Sequence, residues 1–263
     1  MNIKTLLKAE LKRLGFHETD SELEQISLIQ QYFAEQFTFE NLDVLLENVQ
    51  PIDEDFLTDK LLIQKRGGLC YELNGFEVVL ASATIWTDSF WGADRTHSIV
   101  LFYSEDKLYL VDSGTGTNLP MKPVLLDGEP VTSSVGAFRL RQDETGNGTV
   151  VAEWLSEDGW IWQYGFYPEA RPLPDELNRS KKMIHEMKES PFNKALLIAK
   201  SLPDGTVSIN EERMSRKWIG GNGLVEKEER IEFENNGEKL KAVKEYASEA
   251  TLNKVKSYLD QSF

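Results

Sequence analysis

The chain has 263 residues, enough for one large domain or two to three compact subdomains around a buried core. Its 29 Lys and Arg against 44 Asp and Glu give a formal charge of −15, which argues against nucleic acid, and no apolar run approaches the roughly 18 residues of a membrane span. A single cysteine rules out an internal disulfide and a Cys-based metal cage, and the first 16 residues lack an apolar h-region and a cleavage site, so a cytoplasmic protein without a metal is expected.

In the first 16 residues Ile3, Leu6, Leu7, Leu11 and Leu14 share one helical stripe, closed by Gly15 as a C-cap. Thr19 or Asp20 offers an N-cap to a second helix carrying Leu23, Ile26, Ile29, Phe33 and Phe37. Residues 57–63 continue the helical spacing up to Arg66-Gly67-Gly68, and 70–83 predict a mainly apolar helix, so residues 1–85 form a helical unit. From Ser98 the composition turns β-rich. SIVLFY and KLYLVD predict a hairpin about Ser104-Glu105-Asp106, and TVVAEWL and WIWQYGFY a second about Asp158-Gly159, so residues 86–172 form a sheet or barrel. Pro168, Pro172 and Pro174 mark a linker. A helix over 175–188, a short strand region from Asp204-Gly205 and a terminal helix over 238–259 make up a third unit, 173–263.

Three residues in this frame have the chemistry of a nucleophilic site. Cys70 is either a small buried core residue or a thiol at a helix start, where the partial positive charge favours thiolate. Of the three histidines, His17, His97 and His185, only His97 stands at the mouth of a predicted hairpin. Asp112 ends the partner strand, so the strand ends can bring an imidazole beside a carboxylate that fixes its tautomer. The plainer reading makes His97 a strand-edge residue and Asp112 a turn initiator.

The segment Arg66-Gly67-Gly68-Leu69-Cys70-Tyr71-Glu72-Leu73-Asn74 resembles the RGGxCxExN nucleophile motif of the arylamine N-acetyltransferases. Phe39-Glu40-Asn41-Leu42-Asp43 looks like that family's PFENLD segment, with Thr38 in place of proline, and Arg13-Leu14-Gly15-Phe16 is similar to its RIGY segment. Thr96-His97 and Leu110-Val111-Asp112 match its histidine and aspartate strands. The agreement covers about residues 10–120; beyond it only Ser190-Pro191-Phe192 and Asp204-Gly205 fall in place.

This resemblance implies an α+β fold: an N-terminal helical bundle, a central antiparallel β-barrel and a C-terminal α/β lid, with a papain-like Cys-His-Asp core. It implies acetyl transfer from acetyl-CoA to the nitrogen of an arylamine, arylhydrazine or N-hydroxyarylamine, by a ping-pong route through a Cys70 thioester, as in xenobiotic metabolism. Cys70, His97 and Asp112 take the roles of nucleophile, base and orienting carboxylate. Gly114, Gly116 and Thr117 fall beside the acyl donor, although the same residues serve a plain turn; Tyr71 and Thr115 fall beside the acceptor. Where the family reads DVGFG this chain reads Asp112-Ser113-Gly114-Thr115-Gly116, so Thr115 replaces an aromatic wall of the acceptor pocket. The rival readings are a papain- or transglutaminase-like amidase, a specialised amide synthase and a degenerate binding homologue. Arg66, Glu40 and Arg13 are expected as an ion-pair cluster under the cysteine loop, Trp154, Trp160 and Trp162 as barrel packing, and Lys181-Lys182 and residues 227–230 as solvated faces.

Overall fold

The computed structural model describes residue 12 and residues 21–48, 50–73, 80–170, 174–188 and 190–261. The helix expected in the first 16 residues, Arg13, His17 and Asn74 lie outside them. Helix α1 (Glu22–Gln36) begins after Ser21, beyond the Thr19 or Asp20 cap expected, because Ser21 and Glu24 form a reciprocal capping box that satisfies two exposed amides. Its buried Tyr32 and Phe33 meet Phe37 at ring distances of 5.9 and 5.1 Å and close over Leu57 and Leu61. Strand β1 (Phe39–Glu40), α2 (Leu42–Leu45) and α3 (Glu54–Leu57) follow. A π-helical turn over Thr58–Ile63 then directs Lys60 and Leu61 inward.

Of the helix expected over 70–83, residues 70–73 are helical, α4 (Cys70–Leu73), whereas residues 80–83 belong to a strand, β2 (Leu80–Ile85). That strand pairs with neighbours on both sides, so its run is apolar for the same reason a buried helix would be, and composition alone does not separate the two. The barrel sheet therefore begins at Leu80 and not after residue 85.

Strands β3 (His97–Ser104) and β4 (Lys107–Val111) form the first expected hairpin. Glu105 and Asp106 both have positive φ, as a two-residue turn between twisted strands requires. After β5 (Val124–Leu125), β6 (Val131–Ser133) and β7 (Gly136–Gln142), β8 (Val150–Ser156) and β9 (Gly159–Phe166) form the second. The sheet order is β5-β4-β3-β2-β9-β8-β7-β6, and a bridge between Leu126 and Leu140 draws the β5 edge onto β7, curling the sheet into a barrel around Ile99, Leu110, Leu140 and Phe166. Trp154 packs on this core, Trp160 carries the Arg139 guanidinium at 4.3 Å, and Trp162 joins Trp86 and Trp91 in a three-ring cluster.

Helix α5 (Pro174–Glu186) leads to β10 (Ile198–Leu202), β11 (Gly205–Ile209), β12 (Arg213–Ile219) and β13 (Val225–Glu232). These strands take β1 as their outer neighbour, in the order β1-β10-β11-β12-β13, so the N-terminal part contributes a strand to the C-terminal sheet. The terminal helix expected over 238–259 is two helices, α6 (Asn236–Tyr246) and α7 (Glu249–Gln261). They break at Ala247 because the Ser248 hydroxyl caps the second by accepting from the Thr251 amide at 3.1 Å. Both pack on Leu42, Ile198 and Val207 through Val243 and Val255.

The approach to Cys70 is built by close backbone contact. The Glu40 amide donates to Gly68 O and the Gly68 amide to Thr38 O, each at 3.1 Å. A Cβ on Gly67 would lie 1.5 Å from Thr38 O, and one on Gly68 2.3 Å from the Glu72 carboxylate. Gly67→Ala is therefore expected to destabilise the protein by more than about 3 kcal/mol, whereas Gly221→Ala, which meets open space, should stay within about 0.5 kcal/mol. Urea unfolding of both variants checks this; similar midpoints would show that the Thr38 contact yields to a side chain.

Candidate active site

Behind Cys70 lies a buried set of charges. Arg66 Nη2 donates to Glu40 Oε1 at 2.5 Å and Nη1 to Asp43 Oδ1 at 3.0 Å; Lys60 Nζ reaches Asp43 Oδ2 at 2.7 Å and Glu72 Oε1 at 2.8 Å. The second Glu72 oxygen accepts the Leu69 amide at 2.9 Å, so one carboxylate fixes the residue before the cysteine. Burial opposes charge on Asp43 and Glu72, but Lys60 with Arg66, and Lys60 with Lys181, outweigh it and hold both carboxyls below the usual range. Burial likewise pulls Arg66 down, and Glu40 and Asp43 more than restore it. The ion-pair cluster expected around Arg66 and Glu40 is thus present, with Asp43, Lys60 and Glu72 added.

Lys181 departs from expectation. It is buried against Glu72, at 3.6 Å, whereas its neighbour Lys182 is exposed. The amphipathic pattern of α5 marks a buried face but not which of two adjacent lysines lies on it.

In front of Cys70 stands His97, the first residue of β3. Its Nε2 is 2.9 Å from Asp112 Oδ2, which leaves Nδ1 as the ring nitrogen open to Cys70, whose sulfur contributes to the raised His97 pKa. Cys70 itself is 7% exposed, and its Sγ is 3.9 Å from Thr96 O. Burial alone would lower the His97 pKa, but the Asp112 carboxylate and then Cys70 overcome it and push it up to about 10.

Asp112 is fully buried. Its Oδ2 also accepts the Tyr164 hydroxyl at 2.8 Å, and its Oδ1 accepts the Gly114 amide at 2.8 Å. The turn-initiating role and the imidazole-orienting position therefore coincide, one on each oxygen. Burial and then the Asp112 charge hold the Tyr164 phenol well above its ordinary pKa, so it remains a donor. Gln30, buried on α1, donates to Asp112 O at 3.1 Å and Pro120 O at 2.6 Å, clamping both ends of the intervening loop. Neither Tyr164 nor Gln30 had a local sequence signal, because each acts across a long sequence separation.

Within that loop Gly114 is buried and supplies its amide to Asp112, while Gly116, at φ +80°, lies against the Phe39 ring and Ala199. Thr117 is half-buried. Thr115 Oγ1 donates to Asn118 O at 2.8 Å, which Gln163 also reaches. Tyr71 does not share the place expected for an acceptor contact. Its ring is 1% exposed, packed with Leu69, Val44 and Ile184 behind the nucleophile, and its hydroxyl has no partner among the described residues. His185 lies on α5, away from Asp112, and burial followed by the Lys181 charge holds its pKa below the usual value.

A family model described as N-acetyltransferase matches residues 22–247. The uncharacterized acetyltransferase YvcN of Bacillus subtilis is 34% identical over 234 residues, covering 84% of this chain and 92% of that protein. The arylamine N-acetyltransferase / N-hydroxyarylamine O-acetyltransferase of Salmonella typhimurium is 32% identical over 179 residues; the match covers 64% of this chain and 62% of that enzyme. The structure of arylamine N-acetyltransferase C from Bacillus anthracis superposes with a TM-score of 0.80 at 29% identity, over 94% of this chain and 99% of that one. The NAT3 arylamine N-acetyltransferase of Bacillus cereus, described as having a unique Cys-His-Glu catalytic triad, superposes at 0.77 with 31% identity, over 90% and 96%. With that fold and this array of Cys70, His97 and Asp112, the chain belongs to the arylamine N-acetyltransferase family and is an acyltransferase.

Proposed function

We propose that the protein carries an acetyl group from acetyl-CoA to the nitrogen of an arylamine, arylhydrazine or N-hydroxyarylamine through a thioester on Cys70. The observation that carries this reading is the continuous path from Cys70 through His97 to Asp112. In the first half-reaction the proton shared by Cys70 and His97 sits on the imidazole, consistent with its raised pKa, the sulfur attacks the acetyl carbonyl, and the bond to the coenzyme A sulfur breaks. The imidazolium returns its proton to the departing thiolate. In the second, the amine nitrogen attacks the Cys70 thioester, its proton passes to His97, and the acetyl–sulfur bond breaks to restore the nucleophile. Asp112 keeps the Nε2 proton in place and stays ionised throughout. The family match favours a coenzyme A thioester over a peptide or glutamine amide as donor, and the name of the Salmonella relative supports the acceptor class. A cytoplasmic, reducing setting fits a thiol nucleophile.

Gly114, Gly116 and Thr117 are assigned to the donor side, where small residues let backbone amides approach an acyl chain, and Thr115 to the acceptor side. Loss of an aromatic wall at Thr115 weakens packing of a stacked aniline about two- to tenfold.

Mixing with acetyl-CoA should add an acetyl mass adduct that Cys70→Ala abolishes; a full adduct on the variant would refute the thioester. Asp112→Asn should preserve the fold yet slow acylation on the order of 10³–10⁴-fold, measured by release of free coenzyme A, and near-native release would leave Asp112 a turn residue only. The raised His97 pKa also has a stability signature. Its contribution is fully present below about pH 6.5, the ordinary value, and is lost as pH rises to about 10, so the urea-stability gap between wild type and Asp112→Asn should narrow over that window. A constant gap would contradict the pairing. Thr115→Phe should accelerate single-turnover deacetylation by an arylamine while leaving thioester formation intact; an unchanged arylamine step removes position 115 from the acceptor wall.

A further inference from the structure

Helix α5 carries one cation into the interior. Lys181 Nζ donates to Gln50 O at 2.6 Å, lies 3.6 Å from Glu72 Oε1, and stands 4.8 Å from the Phe56 ring centroid and 5.7 Å from that of Tyr71. One turn further, Ile184 packs into the cluster that holds Cys70. The helix is anchored at this place by the Asn178 side chain, which accepts the Ile52 amide at 2.8 Å. Its C-terminal end is held by Asn193, which donates to Ile184 O, His185 O and Met187 O.

Charge explains why a lysine belongs here. Among the described residues the buried set behind Cys70 has three carboxyls, Glu40, Asp43 and Glu72, against two cations, Lys60 and Arg66, and burial pushes the Glu40 carboxyl up against the pull of Arg66 and Lys60. Left alone it has a formal charge of −1 in packing that includes the thiol and Tyr71, and an uncompensated buried charge is strongly unfavourable. Lys181 makes the count three against three. It does so at Glu72, the carboxylate that holds the Leu69 amide directly before the nucleophile. A negative charge at this position would also oppose formation of a second one on sulfur.

We propose that Lys181 is a positioning residue for acyl transfer: from α5 it balances the charge buried behind Cys70 and holds Glu72 on the backbone of the nucleophile turn, so that docking of α5 sets the reactivity of the thiol. This rests on Cys70 as the nucleophile. The groups that face Lys181 are Glu72 on the nucleophile turn, Lys60 on the π turn, Asp43 on α2, His185 on its own helix, and the Phe56 and Tyr71 rings. His185, with its lowered pKa, adds no second cation at neutral pH.

The single cysteine lets iodoacetamide report Cys70 alone and without an acyl donor, so failure of acetylation and failure of this inference are distinguishable. Lys181→Met keeps the length of the side chain and removes its charge. Its alkylation rate at pH 7 should fall about tenfold, with the pH–rate profile displaced about one unit upward. Lys181→Arg should remain within about threefold of wild type. The double variant Lys181→Met with Glu72→Gln removes one charge of each sign and keeps an amide oxygen for Leu69, so it too should alkylate within about threefold. It serves in place of the single variant should that one fail to fold. A folded Lys181→Met with the wild-type profile overturns the proposal. So does an Arg variant as slow as the Met variant, or a double variant tenfold slower than wild type.

Discussion

A carboxylate with no exposure to solvent must be met by donors or give up its charge, and the site is organised around that demand at Asp112. Its two oxygens take the His97 imidazole, the Tyr164 hydroxyl and the Gly114 amide, while its own carbonyl takes Gln30. These donors come from β3, β9, the turn after β4 and α1. The barrel donors hold the carboxylate and α1 holds the main-chain carbonyl of the same residue, so the barrel and this helix meet at Asp112. His97 stands at that point with its second nitrogen toward Cys70. The ion pair is better understood as fixing geometry than as adding net stability, since desolvation of both groups offsets much of their attraction.

The second constraint holds the sulfur against that imidazole. Gly67 leaves no room for a side chain against Thr38, so residues 66–69 run flush along β1. Arg66 and Glu40 bond across the same contact, and Glu72 reaches back to the Leu69 amide. Glycine freedom, a strand bridge and ion pairs therefore act on one short stretch of backbone. Position 70 is specified from both sides before any acyl donor arrives, which is the preorganisation that nucleophilic catalysis draws on.

The sequence disclosed the parts of this arrangement that are local. The two hairpins, the order of helices then strands and the glycines before Cys70 follow from contiguous patterns, while the Arg66–Glu40 association follows from the family resemblance of two separate segments. What was hidden depends on partners far along the chain. The apolar stretch ending at Ala83 has the composition of a buried helix, and only its pairing with β3 and β9 makes it a strand. The terminal helix breaks at Ala247 because the Ser248 side-chain cap competes with helix continuation, which periodicity does not register. Tyr71 follows Cys70 in sequence, yet its ring is buried in one cluster with Val44, Leu69 and Ile184. Lys181 has the composition of a solvated face until the unbalanced charge of residues 40–72 is counted, and that count needs the fold.

Cys70 consequently lies between two charge arrays of different kind. Behind it three carboxylates and three cations are bonded to one another and to backbone, so that array has little freedom to respond when charge moves. In front, His97 and Asp112 form the array whose protonation changes during the proposed reaction. With the shared proton on His97, negative charge on sulfur is matched by the imidazolium beside it, which Asp112 stabilises from its other side, with no net charge transferred out of the site. The same holds in reverse as each thiolate leaves. A fixed neutral array behind and a proton-carrying pair in front confine the electrostatic change to the sulfur and the imidazole. For a chain with a formal charge of −15, the local balance of charge, and not the overall field, determines what the sulfur experiences.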